Sequence, residues 1–137
     1  MKILIATDAY FPQVNGVVRT LHETGKILKE QGHRIEYITP ELFLTFPMPK
    51  YNEIRISINV WPRVGSLIKK IKPDAIHIAT EGPIGTMARR YCLKNKLKFT
   101  TSFHTRFDKY LKLYFPIIPA KWAEKFLANF HNKAERI

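Results

Sequence analysis

Three stretches of the chain carry groups able to act on a charged or hydroxylated substrate: Asp8 to Gly16, Thr80 to Pro83, and His104 to Lys109. In the first, Asn15-Gly16 stands directly before a helical pattern. With no side chain at Gly16, the N–H groups of a helix start can approach a diphosphate, and the helix dipole favours its charge. The same dipeptide is also a favourable turn that needs no ligand to explain it. The stretch lacks Gly-x-Gly-x-x-Gly and Gly-Lys-Ser/Thr, which sets aside the ordinary dinucleotide fingerprint and the P-loop. In the third stretch His104 has Arg106 and Lys109 as neighbours. An imidazole there can hydrogen-bond a sugar or a phosphate while the two cations supply positive charge; the plain alternative is a loop histidine beside a basic surface. Glu81 is placed to bind an acceptor hydroxyl, or simply to complement a helix start. His77 lies inside a buried strand pattern and reads as a satisfied core or rim residue, whereas His22, His33 and His131 read as surface residues.

The elements around these stretches explain why they matter together. Lys2 to Thr7 is a short apolar run that reads as a buried parallel strand. A helix opens near Val17 with Val17, Leu21, Thr24 and Leu28 on one face, and Gly32 suits its C-cap. Arg34 to Thr39 is the second strand. Pro40 to Asn52, rich in Phe and Pro without a period, reads as a loop, and Ile54 to Ile58 as an edge strand. Val64 to Ile71 predicts a helix stopped by Pro73, Asp74 to Ala79 a strand, and Pro83 the first residue of a helix to about Asn95. Phe99 to Phe103 is the next strand, followed by helical stretches Phe107 to Tyr114 and Pro119 to about Ala134. This alternation predicts an α/β fold, a Rossmann-like parallel sheet with helices on both faces, as one domain over residues 1–137. In such sheets ligands bind beyond the C-terminal strand ends, where all three stretches fall.

Composition narrows the setting. One cysteine, Cys92, rules out a disulfide framework, has no metal-ligand spacing around it and fits a reducing, cytoplasmic compartment. No run is apolar enough for a signal peptide core or a membrane span. Lys and Arg total 23 against 11 Asp and Glu, a net charge of +12. Such an excess favours an anionic partner (nucleic acid, an anionic bilayer surface or a phosphorylated substrate), or marks the basic half of a larger protein. With no RRM or KH signature and no Gly-rich basic tail, nucleic acid is not expected. The segment from Tyr110 to Ile118, flanked by Lys109, Lys112 and Lys121, combines aromatic and basic residues suited to the inner face of a membrane, or else to a core.

These stretches, in order, resemble the N-terminal half of the family-four retaining glycosyltransferases of the two-domain GT-B type. The nearest subgroup is that of lipid mannosyltransferases and sulfoquinovosyl-diacylglycerol synthases. The resemblance rests on Met1 to Gly16, continuing into Val17, then Leu28 to His33, Asp74 to His77, Glu81 to Gly85, and Ser102 to Phe107. It implies transfer of a sugar from a nucleotide-sugar donor to a lipid or other hydroxyl acceptor with retention of configuration, and without a metal or other cofactor. Asn15, Gly16 and Val17 would form the donor diphosphate loop. His104 would reach the donor sugar as the catalytic residue, and Asp8, Tyr10, Arg106 and Lys109 would line the acceptor side with Glu81. The resemblance also implies a C-terminal donor-binding domain, in cis or in trans, that this sequence lacks, so the isolated chain is expected to be inactive. The rival expectation is a non-catalytic basic module for anionic membrane or nucleic acid, which has no need of Gly16 and His104 at strand ends.

Overall fold

The computed structural model describes residues 1–11, 13, 16–48, 51–103, 117 and 119–135. The elements are β1 (Lys2–Ala6), α1 (Gly16–Glu30), β2 (Arg34–Ile38), a single 3₁₀ turn (Pro40–Leu42), β3 (Thr45–Met48), β4 (Tyr51–Ser57), α2 (Arg63–Ile71), β5 (Ala75–Ile78), α3 (Pro83–Lys94), β6 (Thr100–Thr101) and α4 (Ala120–Asn132).

Four strands form a parallel sheet in the order β2-β1-β5-β6. Side chains of a strand alternate between faces, so β1 feeds two cores. Leu4 and Ala6 join Ile38, Ile68, Ile76, Ile78, Ile84 and Cys92 beneath α2 and α3. Ile3 and Ile5 turn to the other face and pack with Leu21, Leu28, Ile35 and Ala79 against α1. The chain leaves β1 toward β2 on one side and, after α2, reaches β5 on the other. Right-handed crossovers running in opposite directions put their helices on opposite faces, as found here. The sheet and its two helical layers form a Rossmann-like α/β domain, in agreement with the expectation from sequence.

Helix ends follow local chemistry. Gly32 has φ +92°, and the turn closes with Gly32 N–H donating to the Lys29 carbonyl and His33 N–H to that of Leu28, both at 3.0 Å. This is a Schellman closure, for which glycine is the favoured residue. Lys72, left-handed at φ 53°, ends α2 just before Pro73. The face of α1 differs from expectation in one place: Thr24 is exposed, and Gly25 is buried. A Cβ at Gly25 would run into the Tyr37 hydroxyl, so the glycine lets α1 lie close over β2.

The region 40–52 is not the loop its composition suggested. It contains the 3₁₀ turn and β3, which pairs antiparallel with β4 in a separate two-stranded sheet, Thr45 opposite Ser57 and Phe46 opposite Ile56. β4 begins at Tyr51, earlier than the strand expected from Ile54. Each strand of a ribbon has an outward edge, so Pro47 sits in β3 with no ladder donor to lose there. A register irregularity between Pro47 and Met48 erases the alternation that marks a strand. The strand expected over Phe99 to Phe103 is paired only at Thr100–Thr101. The helix expected over Phe107 to Tyr114 lies outside the described residues.

Candidate active site

β1 lies between β2, reached through α1, and β5, reached through α2, so the C-terminal ends of β1 and β5 form the switch point, the crevice position at which open α/β sheets bind ligands. Its walls are the loops after these strands, locked together by Asp8. The Asp8 N–H donates to Thr80 Oγ1 at 2.7 Å, and the Thr80 hydroxyl donates back to Asp8 Oδ2 at 2.7 Å. Asp8 Oδ1 also accepts from the Ile84 N–H at 2.7 Å, and Oδ2 from the Gly85 N–H at 3.1 Å. The N-cap residue of α3 is Gly82, which has no side chain to offer, and Pro83 has no N–H. Asp8 thus caps α3 from the end of a different strand, satisfying the second and third helical amides. Burial pushes its carboxyl above the usual carboxylate range, opposed by these bonds.

Glu81 makes a second lock. His131, from the last turn of α4, places Nε2 2.8 Å from Glu81 Oε1 and Nδ1 2.8 Å from Thr101 Oγ1. The paired side chains are nearly sealed from solvent, 7% exposed for His131 and 9% for Glu81. Burial raises the Glu81 carboxyl above its ordinary range, the bond to His131 opposes it, and the Asp8 carboxyl adds a smaller upward push. His131 is therefore not the surface residue expected, because it shares a helix face with buried Leu127 and Phe130. Arg89 of α3 fixes this helix end: Nε and a terminal nitrogen donate to the Phe130 and Asn129 carbonyls at 3.0 and 2.9 Å. Both carbonyls belong to the final turn of α4, which lacks helical donors.

The loop after β1 lies against α1 through aromatic contacts. Tyr10 packs on Tyr37 at 4.9 Å between centroids, and Phe11 meets Tyr10 at 5.2 Å and His22 at 5.3 Å edge-on. Burial, and to a smaller extent the neighbouring Tyr10 hydroxyl, push the Tyr37 hydroxyl pKa up. Above this loop stands the start of α1, and nothing lies within 4 Å of the place a Cβ would occupy at Gly16.

The expected site residues thus divide. Asp8 and Tyr10 lie in the loop after β1, Glu81 in the loop after β5, and Gly16 and Val17 open α1; the carboxylates of Asp8 and Glu81 are already engaged within the protein. His104, Arg106, Lys109 and Asn15 lie outside the described residues, as do Tyr110 to Phe115 and Ile118 of the aromatic segment, while Ile117 is 93% exposed. His77, expected to be a satisfied rim residue, has Nδ1 2.8 Å from Thr100 Oγ1 and Nε2 3.1 Å from Ser102 Oγ. Sequence reasoning missed Thr80, Tyr37, Thr101 and His131. For His131 a signal existed, its position four residues after Leu127 on an apolar face; a lone threonine after a strand carries none. Among the described residues no cluster of three or more His, Cys, Asp or Glu side chains is placed to hold a metal ion.

The sequence profile of glycosyltransferase family 4 matches residues 14–137, and the chain belongs to that family. It is 23% identical over 124 residues to alpha-monoglucosyldiacylglycerol synthase of Streptococcus pneumoniae, covering 81% of this chain and 28% of that protein. It is 26% identical over 124 residues to sulfoquinovosyl transferase SQD2 of Arabidopsis thaliana, covering 81% and 24%. With the GDP-mannose-dependent alpha-mannosyltransferase of Corynebacterium glutamicum it shares 23% over 154 residues, covering 99% and 37%. The chain thus spans between 24% and 37% of the length of these relatives. No solved structure matches it.

Proposed function

We propose that the chain is the acceptor-side half of a glycosyltransferase that moves a sugar from a nucleotide-sugar donor to the hydroxyl of a lipid acceptor, with retention. The observation that carries the reading is the crevice between β1 and β5, bordered by the open start of α1 at Gly16. Amides there suit a diphosphate, and the names of the relatives supply both a nucleotide sugar and diacylglycerol acceptors. Asn15, Gly16 and Val17 shape the donor side. His104, one residue past Phe103 in the chain, acts on the transferring sugar, and Tyr10, Arg106 and Lys109 take the acceptor. Asp8 and Glu81 serve the acceptor side by fixing its two loops. Charge developing on the leaving diphosphate is met by helix amides and basic side chains, so no metal or other cofactor is needed. A second, nucleotide-binding domain in cis or in trans completes the site. No helix among the described residues is long and apolar enough to cross a membrane; the net charge of +12 suits peripheral contact with an anionic cytoplasmic membrane face.

The test pairs the chain with its nucleotide-binding domain and offers nucleotide sugars with diacylglycerol-type acceptors. Transfer is expected in the complete protein and not in residues 1–137 alone. His104→Ala should lower kcat by about 10²-fold to 10³-fold with the fold intact, and Gly16→Val should weaken donor binding as well. Near-normal kcat and kcat/KM in His104→Ala would remove the histidine from the chemistry, and sustained turnover by residues 1–137 alone would overturn the two-domain reading.

A further inference from the structure

His131 lies thirty residues after Thr101 in the chain, yet its ring sits against the end of β6 and the loop after β5. Its Nε2 reaches Glu81 and its Nδ1 reaches Thr101 at the end of β6. The Phe103 ring meets it edge-on at 5.9 Å and Phe130 at 5.2 Å. Glu81 is covalently next to Thr80, whose hydroxyl is tied to Asp8. Two sets of bonded side chains, joined by the Thr80–Glu81 peptide bond, thus link α4, the end of β6, the loop after β5 and the loop after β1. A carboxylate accepts only, so with Glu81 ionised His131 Nε2 carries a proton and donates it, while Nδ1 pairs with the Thr101 hydroxyl.

We propose that His131 is a positioning residue for sugar transfer, holding Glu81 and Phe103 so that the loops after β5 and β6 present a fixed acceptor side to the crevice. It touches no substrate; it acts through Glu81. The ring is held at its two nitrogens by segments from different strand ends, Glu81 after β5 and Thr101 of β6, and Phe103 packs on it edge-on. The inference rests on the transferase reading for its kinetic consequence but not for its structural one.

Two substitutions separate the bonds. In His131→Gln the amide nitrogen can reach Glu81 as Nε2 does; in His131→Asn the shorter amide can reach only toward Thr101. Hydrogen exchange of the amides from Thr80 to Gly85 is measured on the full chain, and acceptor KM and kcat on the chain joined with its nucleotide-binding domain. His131→Asn should speed exchange in this loop about tenfold and raise acceptor KM at least about fivefold with donor KM unchanged, and His131→Gln should restore most of both. The proposal is overturned if Asn and Gln behave alike, whether both match the parent protein or both are equally impaired through general loss of fold. If the parent protein transfers no sugar, the transferase reading fails separately, and loop exchange alone decides: unchanged protection in His131→Asn rejects the positioning role.

Discussion

Asp8 and Thr80 exchange hydrogen bonds in both directions: the Asp8 amide donates to the Thr80 hydroxyl, and that hydroxyl donates to the Asp8 carboxylate, each at 2.7 Å. Two residues from adjacent strand ends thereby close a small ring across the crevice. Replacing Thr80 by valine keeps the shape and removes both bonds, leaving an amide and a carboxylate oxygen short of partners. We expect a loss of about 2 to 4 kcal/mol in urea unfolding, and a much smaller loss for Thr80→Ser, which keeps the hydroxyl. Equal stability of the valine and serine variants would show that the ring contributes nothing.

Gly85 and Gly16 should respond oppositely to alanine. A Cβ at Gly85 would collide with the Thr80 carbonyl, an immovable backbone group, and disturb the amide that Asp8 caps. Gly85→Ala should cost about 1 to 3 kcal/mol or more. At Gly16 the space is open, so Gly16→Ala should lie between no change and a gain of about 1 kcal/mol. Thermal unfolding of the two variants side by side checks the contrast, and a destabilised Gly16→Ala would contradict the open geometry described.

The Cys92 thiol is buried under α3, and burial pushes its pKa up to about 11. Alkylation requires thiolate and access, so iodoacetamide at pH 8 should modify the folded chain at least about 100-fold more slowly than the chain in denaturant. Comparable rates would mean that the helix layer opens readily.

Glu81 gives a pH signature. Its folded pKa is raised by burial, so the folded state holds the proton to higher pH than the unfolded state does. Stability from this group is therefore greatest at low pH and falls as pH rises from the ordinary carboxylate value through the raised one. Glu81→Gln keeps an acceptor for His131 and lacks the titration. The stability of Glu81→Gln relative to the parent chain should increase with pH across that window, measured by denaturant unfolding at steps from pH 4 to 7. A difference independent of pH would place the Glu81 pKa at its unfolded value.

The parallel sheet was legible because its strands are short apolar runs and its helices have clear faces; Gly32, Pro73 and Pro83 marked their ends correctly. The hairpin was not, since Pro47 and the irregularity beside it break the two-residue period by which a strand is recognised. Of the site, the strand-end positions of Asp8, Tyr10, Gly16 and Glu81 could be read from the order of elements. What their side chains touch could not. Asp8 looks like a ligand-binding acid in sequence and is the missing cap of a helix 75 residues later, a pairing created only when β1 and β5 become neighbours. His131 was hidden by the same kind of distance, fifty residues from its carboxylate partner.

The contact between Gly25 and Tyr37 makes α1 behave as a lever. The Tyr37 hydroxyl is the fulcrum, pressed where a Cβ would stand, and the arm runs nine residues, about 13 Å, to Gly16 at the open end. Tyr37 also carries the ring of Tyr10, so the same fulcrum bears the loop after β1. A side chain at position 25 must displace the Tyr37 hydroxyl or lift the helix, and any lift is largest at the Gly16 tip. The position of the Gly16 end of α1 thus depends on an uncharged contact about two and a half turns away.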